Sequence, residues 1–484
     1  MSVERPSLPQ GPYLVAGLGR AGGAAVEALL SCPAAERVLA WDGARDARVR
    51  SVARRLRGRG VDVRLGGDGL DALAAAGSAA TVVKSPGIAL DVPVLQRARE
   101  QGVCVLDELE LGWRLARGPI VGVTGTNGKS TTSKLIAAVL KAAGESVELA
   151  GNTEFGAPLS AAGASGWIVC EVSSFQLEGS PSFLPDIAVF TNLTPEHLTR
   201  HLTMERYGAA KRRMFVRRER AAPLAVVNLD DPFGRDLARD VTGAGGRVLS
   251  YGFAGGADIH VERVEWNMRE AWLSLRTPDG PVRCATRIPG AHNASNTAAA
   301  FAVGHSLGMS AQTIARALAD VDGPPGRWEL ITDSQPFDVL VDYAHTPDGI
   351  RQLLQTVRSA VSAREGARVL TVFGAVGLRD AEKARESGRL ARALSDHLIL
   401  TTGSAPGDPR ILRLAELRRA ARAGGSMEVV LDRRAAIRRA IEAARPGDVV
   451  ATLGLGALQR ITLDAAGTRA PHDDRQAVRE ILLG

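Results

Sequence analysis

Short apolar runs alternate with longer amphipathic stretches along the whole chain. Between residues 13 and about 117 the runs YLVAG, RVLAWD, VDVRL, ATVVKSPG and VCVLDELEL are separated by helix-like segments such as GGAAVEALLSC. This rhythm predicts a parallel sheet with crossover helices. The pattern breaks at residues 115–119, and a second α/β unit then opens with the strand PIVGVTG and runs to about residue 327. A third opens with FDVLVDYAH and continues through RVLTVFG, HLILTTG and DVVATLG, alternating with stretches such as DGIRQLLQTVRSAV and RRAAIRRAIEAA. At 484 residues the chain exceeds what one core ordinarily holds. The expected division is into three α/β domains, 1–117, 118–327 and 328–484, with no solenoid repeat and no low-complexity tract.

Composition narrows the function classes. No apolar stretch reaches the roughly 18 residues of a membrane span. The segment MSVERPSLPQGPYLV lacks a basic region followed by an apolar run. A cytoplasmic protein without membrane insertion is therefore expected. The formal charge is +7, but the arginines are dispersed and aromatic residues are only 4%, so a base-stacking platform for nucleic acid is not expected. A basic protein does suit anionic small molecules such as nucleotides. Cys32, Cys104, Cys170 and Cys284 show no CxxC spacing and read as reduced thiols rather than a zinc site. Only six lysines occur among 60 basic residues: Lys84, Lys129, Lys134, Lys141, Lys211 and Lys383. In a chain whose default cation is arginine, each lysine asks why a compact or modifiable amine is needed.

The strongest motif is VGVTGTNGKSTTSKLIAAVL. A strand ends at Thr124, Gly125, Thr126, Asn127 and Gly128 form a tight turn, and Lys129, Ser130 and Thr131 open a helix. Glycines let backbone N–H groups face a phosphate, and the helix N-terminus adds positive potential. Lys129 is placed to reach β- and γ-phosphates, and the Ser130 hydroxyl to ligate Mg²⁺. Val123 stands where the full Walker pattern has glycine. The first domain carries Gly17-Leu18-Gly19-Arg20-Ala21-Gly22 after a strand, and Asp42 after the next. Alone this is a dinucleotide fingerprint, and an NAD-dependent dehydrogenase is the competing reading.

From GTNGKSTT onward the chain resembles the Mur ligase family, and further motifs follow in the family's order. They are WIVCEVSSFQLE with Glu171, FTNLTPEHLTRH with His197, and ERYGAAKRRMF with Lys211. GAHNASNTAAAF with Asn293 and Asn296, GPPGRWE with Arg327, and VDYAHTPDG with Asp342 and His345 come next. The resemblance implies an ATP-dependent ligase that makes an amide through an acyl phosphate. It implies a Rossmann-like first domain, a P-loop ATPase-type second and a Rossmann-like third. ATP would lie on residues 125–131, Asn293, Asn296, Arg327 and Asp342. Mg²⁺ would lie on Ser130, Glu171, His197 and Lys211, the last as a carbamate formed from CO₂. Lys129, Glu171, His197 and Lys211 would be catalytic. The family's common Asp-His-Leu-Asp-Arg reads Glu196, His197, Leu198, Thr199, Arg200 here.

Within the family the resemblance splits. The glycine turn, residues 85–88 (Ser-Pro-Gly-Ile), Glu108 to Glu110, EVSSFQLE and AGNTEFGAP look like the D-glutamate-adding member. They imply that Gly17, Leu18, Gly19, Arg20, Ala21, Asp42, Ser85, Gly87 and Asn152 bind a UDP-muramoyl peptide. The third domain, through VDYAHTPDG, VFGAVGLRD and PHDDRQAVREILL, looks like the diamino-acid-adding member. That member's Asp-Asn-Pro-Arg reads Gly-Ser-Ala-Pro at residues 403–406, followed by Gly407, and its Gly-Lys-Gly-His-Glu reads Gly454, Leu455, Gly456, Ala457, Leu458. The expected reaction is addition of glutamate, with D-glutamate favoured, to UDP-N-acetylmuramoyl-L-alanine by a monomer. L-glutamate, another amino acid, a specialised-peptide ligase or an inactive nucleotide-binding protein are the alternatives. The acceptor site is open, with His345 as its one candidate.

Overall fold

The computed structural model describes residues 3–78, 80–153, 155–163, 165–217, 220–374, 381–407, 418–419, 426–464 and 469–484. The chain divides into two compact units, Met1–Ile259 with Ala299–Ser310, and His260–Ala298 with Ala311–Gly484.

The first unit holds two parallel sheets. Strands β1 (Tyr13–Ala16), β2 (Val38–Asp42), β3 (Asp62–Leu65), β4 (Thr81–Lys84) and β5 (Cys104–Asp107) lie in the order β3-β2-β1-β4-β5. Every pairing is parallel, as the alternating pattern predicts. Successive residues of β1 point to opposite faces. Tyr13 and Val15 join one apolar cluster with Leu29 and Leu56, while Leu14 and Ala16 join another with Leu73 and Leu95. Strand order reverses between β1 and β4, which opens a crevice beyond their carboxyl ends. Gly17 and Ser85 follow those two strands.

The second sheet is built from β6 (Ile120–Thr124), β7 (Val147–Gly151), β8 (Trp167–Glu171), β9 (Ile187–Phe190), β12 (Leu224–Asn228) and β13 (Arg247–Gly252). Their order is β13-β12-β9-β6-β8-β7, all parallel. A short hairpin, β10 (Val216–Arg217) with β11 (Arg220–Ala221), precedes β12. Strand β6 is central and buried throughout, as its unbroken apolar run requires.

The second unit begins with an element the sequence reading did not separate from the α/β pattern. Strands β14 (Ile259–Trp266), β15 (Ala271–Thr277) and β16 (Gly280–Thr286) form an antiparallel meander. Along β15, Ala271, Leu273, Leu275 and Thr277 are buried in period-two alternation. Next come β17 (Glu329–Ile331), β18 (Asp338–Asp342), β19 (Val369–Phe373), β20 (His397–Leu400), β22 (Ser426–Val429) and β23 (Val449–Leu453). They form a sheet of order β17-β18-β23-β19-β20-β22, parallel except for β17. Strands β21 (Ser404–Gly407), β24 (Arg460–Asp464) and β25 (Arg469–Pro471) make a small separate sheet. Among the described residues no helix is long and apolar enough to cross a membrane.

Candidate functional site

The glycine turn between β6 and the helix Lys129–Ala142 is held from below by the segment that follows β9. Thr126 N donates to Asn192 O (2.8 Å), Asn127 N donates to Asn192 Oδ1 (2.9 Å), and Thr191 Oγ1 donates to Asn127 O (2.7 Å). Thr126 Oγ1 donates to Thr194 O (3.1 Å) and accepts from Thr194 N (3.0 Å). Gly125 has φ +156°, and a Cβ there would sit 1.8 Å from Thr191 Oγ1. Only glycine permits that approach. Gly128, at φ +83°, begins the helix without a side-chain cap. The first-turn N–H groups therefore face outward, the arrangement that receives a phosphate.

Charged groups cluster around this turn. Lys129 Nζ donates to Thr126 O (2.9 Å) and Gly125 O (3.2 Å). From the helix Met204–Arg212, buried Lys211 donates to the same Gly125 carbonyl (2.8 Å). Burial, and then the neighbouring Lys129 ammonium, hold the Lys211 amine well below its ordinary value, with Glu171 acting in the opposite sense. A neutral amine is the form that adds CO₂, so Lys211 fits the implied carbamate. Glu171 closes β8, and its Oε2 accepts from Ser130 Oγ at 2.6 Å. A hydroxyl and a carboxylate beside a phosphate turn are the hard oxygen donors that suit Mg²⁺. Thr131 is buried in the first turn of the same helix.

His197 stands outside this group. It lies at φ +58° with its side chain half exposed, its ring tilted against Phe175 (ring centroids 4.8 Å, planes at 57°) and 6.2 Å from the Tyr207 ring. Among the described residues no three His, Cys, Asp or Glu side chains are gathered as a metal cluster. Several residues of the site escaped the sequence reading. Tyr207 approaches Thr126 Oγ1 with its hydroxyl (3.3 Å), has its pKa pushed up to about 12 by burial, and lies under Lys211 Nζ (4.6 Å to the ring centroid). His201, four residues after His197, is buried between Ser174 Oγ (2.9 Å) and Glu178 Oε1 (3.2 Å). Its signal was present in EHLTRH, where the second histidine falls one helical turn beyond the first.

The candidate donor residues other than Asn152 follow or end strands of the first sheet. Gly17 has φ +92°, and its carbonyl oxygen accepts from Ser85 Oγ (3.4 Å). Asp42 accepts from Leu18 N (2.7 Å) and Ala44 N (2.8 Å), so its carboxylate braces the turn itself. Gly19 precedes the helix Arg20–Leu30, which carries Arg20 and Ala21. Arg20 reaches Thr153 O (2.8 Å), beside exposed Asn152 whose own N–H donates to Glu171 O (2.7 Å). Gly87 lies in the turn after β4, where a Cβ would meet nothing.

The remaining candidates belong to the second unit. Asn293 Nδ2 donates to Pro289 O (2.8 Å) and Asn296 Nδ2 to Asn293 Oδ1 (3.1 Å), so the asparagine pair makes local helix-start hydrogen bonds. Asp342, at the end of β18, accepts from Trp328 N and Ala344 N, both at 2.7 Å. Burial raises its pKa, with Arg327 opposing. Trp328 has φ +46°, and Arg327 lies over the Tyr343 ring at 4.4 Å. His345 sits beside Tyr343. Residues 375–380, the latter part of VFGAVGLRD, lie outside the described residues.

Comparison with known proteins settles the class. The family pattern of the Mur ligase middle domain matches residues 123–304, and that of the Mur ligase glutamate ligase domain matches residues 326–456. The UDP-N-acetylmuramoyl-L-alanyl-D-glutamate–2,6-diaminopimelate ligase of Gloeobacter violaceus is 35% identical over 438 residues, covering 84% of this chain and 87% of that one. The chain belongs to the Mur ligase family. Its class is therefore that of the ATP-dependent, ADP-forming amide ligases. The ligase of the same name from Synechococcus elongatus is 35% identical over 393 residues, 74% of this chain and 76% of its own. Among solved structures, UDP-N-acetylmuramate-alanine ligase MurC from Thermotoga maritima aligns over 98% of this chain and 99% of its own, at a TM-score of 0.62 and 20% identity. A UDP-N-acetylmuramoyl-L-alanyl-D-glutamate–2,6-diaminopimelate ligase aligns over 92% of each chain at 0.55 and 23%. These likenesses establish the three-domain α/β fold of the family. Both sequence relatives carry the diaminopimelate-adding name, so the expected likeness to the D-glutamate-adding member gains no support from them.

Proposed function

We propose that this Mur ligase joins glutamate, the D enantiomer favoured, to the alanyl carboxylate of UDP-N-acetylmuramoyl-L-alanine. The observation that turns the reading away from a diamino acid is the loop after β23. Gly454, Leu455, Gly456, Ala457 and Leu458 stand where the diamino-acid-adding member has Gly-Lys-Gly-His-Glu, and Leu455 is fully buried. A buried leucine offers no charge to the second ammonium or distal carboxylate of a diamino acid. The crevice between β1 and β4, edged by a glycine turn, supports a nucleotide-linked donor. The names of the relatives favour a second reading, diaminopimelate addition to the dipeptide donor.

In this reading Lys129 and the turn amides hold the phosphates of ATP in line with the donor carboxylate. Ser130, Glu171 and carbamylated Lys211 would hold Mg²⁺, which when bound draws charge from the transferring phosphoryl group. A donor carboxylate oxygen bonds to the γ-phosphorus as the bond to ADP breaks. The amine of glutamate then attacks the acyl carbon, phosphate leaves, and the amine proton passes to solvent. Fixed dipoles around the turn supply most of the stabilisation. The test is a donor labelled with ¹⁸O in both carboxylate oxygens. One label must appear in released phosphate and one must stay in the amide. Unlabelled phosphate would exclude the acyl phosphate.

A further inference from the structure

Of the four lysines that the ligase chemistry does not use, Lys84 alone is buried. Lys84 ends β4, is fully buried, and donates to Asp107 Oδ2 at 2.5 Å and to Ser85 O at 3.3 Å. Ser85 opens the turn that closes on Gly17, where a Cβ would lie 2.9 Å from Ile88 Cγ1. Asp107, equally buried, caps the helix Glu108–Leu115 through Leu109 N (3.1 Å) and donates its own N–H to Gly179 O (2.7 Å). Gly179 directly follows the helix Ser174–Glu178, which starts three residues after Glu171.

The helix after Asp107 extends the same bridge. Glu108 Oε1 accepts from Ser160 N (2.7 Å), and Glu110 Oε2 accepts from Ser182 N (3.0 Å) and Phe183 N (2.9 Å). Three anchors within four residues, Asp107, Glu108 and Glu110, thus tie the end of the first sheet to two connections of the second. Lys84 is the fully buried cation that joins that bridge to the glycine turn. A guanidinium would bring five donors into a space that supplies one carboxylate and one carbonyl, which explains the lysine.

We infer that Lys84 is a positioning residue for the donor: through Ser85 and Asp107 it fixes the donor turn relative to the helix beside Glu171, and so delivers the donor carboxylate to the phosphate turn. This rests on the reading that a UDP-linked donor occupies the β1–β4 crevice. Substrate held by its nucleotide end has its reacting carboxylate far from the anchor, where a displacement of about 1 Å costs roughly 10²-fold in rate.

The test compares Lys84→Met/Asp107→Asn, which removes both charges together, with the native chain. Wild-type phosphate release from UDP-N-acetylmuramoyl-L-alanine, ATP and glutamate is measured first. No release overturns the donor reading, and the exchange measurement below then judges the bridge by itself. With an active wild type, the folded double variant should bind ATP and donor within about threefold of native while kcat falls 10- to 100-fold. Unchanged kcat overturns the positioning role, as does a loss of ATP affinity equal to the loss of kcat. Amide hydrogen exchange should quicken at Asp107, Ser182 and Phe183 in the variant. Native exchange rates there overturn the bridge whatever the substrate.

Discussion

Replacing Gly125 with alanine should cripple nucleotide binding while leaving the fold intact. The backbone at φ +156° lies in a region that side chains avoid, at a cost of about 1–3 kcal/mol. The added Cβ would stand 1.8 Å from Thr191 Oγ1, whereas ordinary contact begins at 3.4 Å, so about 1.6 Å must be recovered (3.4 − 1.8). Neither partner can yield alone. Thr191 Oγ1 holds Asn127 O at 2.7 Å, and Gly125 O receives both Lys129 and Lys211. The displacement therefore moves the turn amides and both lysine amines together. A shift of that order predicts roughly 10²-fold weaker ATP binding, or about 2.7 kcal/mol. Titration calorimetry with Mg·ATP in the absence of donor reads it directly. Adding Thr191→Ala removes the clashing oxygen and should recover about tenfold, leaving the backbone strain. Native affinity in Gly125→Ala would refute the steric reasoning, and so would a double variant no better than the single one.

Other expectations follow from buried charge. Glu108 is fully buried, and burial raises its pKa from 4.5 to about 7. The folded state then holds the proton more tightly than the unfolded one, so stability falls as pH rises from about 4.5 to 7 and levels above. Glu108→Gln keeps the acceptor for Ser160 N and should be more stable than native at pH 8 by up to about 3 kcal/mol, with no gain at pH 4.5. Equal melting curves at both pH values would contradict this. Lys211→Arg puts a permanent cation in place of the amine and cannot form the carbamate; phosphate release should drop at least about 10²-fold, and native turnover should decline when CO₂ is stripped from the buffer. Activity in Lys211→Arg that matches native would exclude a modified lysine. In the second unit Arg433 is buried against Asp474 (2.5 and 2.7 Å) and also donates to Gly374 O and Leu453 O. Arg433→Met leaves Asp474 with His472 alone and should cost about 3–5 kcal/mol in urea unfolding.

What could be read from the sequence is what depends on neighbours in the chain. The turn from Gly125 to Gly128 and the hydroxyls after Lys129 were visible because phosphate binding fixes residue type at fixed spacing. Parallel sheets were visible as apolar runs alternating with helices. The meander β14–β16 was overlooked because its alternation is confined to one face, and the stretch was read as part of a helix-alternating unit. Long-range pairings left no local trace. Nothing in ATVVKSPG announces that Lys84 meets Asp107, twenty-three residues on, or that Thr191, Asn192 and Thr194 hold the phosphate turn. Asp42 illustrates the converse. Its place at the end of β2 made it part of a nucleotide-binding fingerprint, and the fold adds a partner the spacing did not announce: its carboxylate accepts from the backbone of the glycine turn. The asparagines at 293 and 296 carried two readings, and a hydrogen bond joins their side chains near the start of their helix.

The central claim is that ATP drives addition of glutamate to a muramoyl-alanine donor, and an acceptor panel tests it most directly. Purified protein would be incubated with Mg·ATP and either UDP-N-acetylmuramoyl-L-alanine or its D-glutamyl extension, with phosphate release followed for each amino acid in turn. The account predicts release with the alanyl donor and glutamate, strongest for the D enantiomer, and none with diaminopimelate. Release confined to the extended donor with diaminopimelate would contradict it.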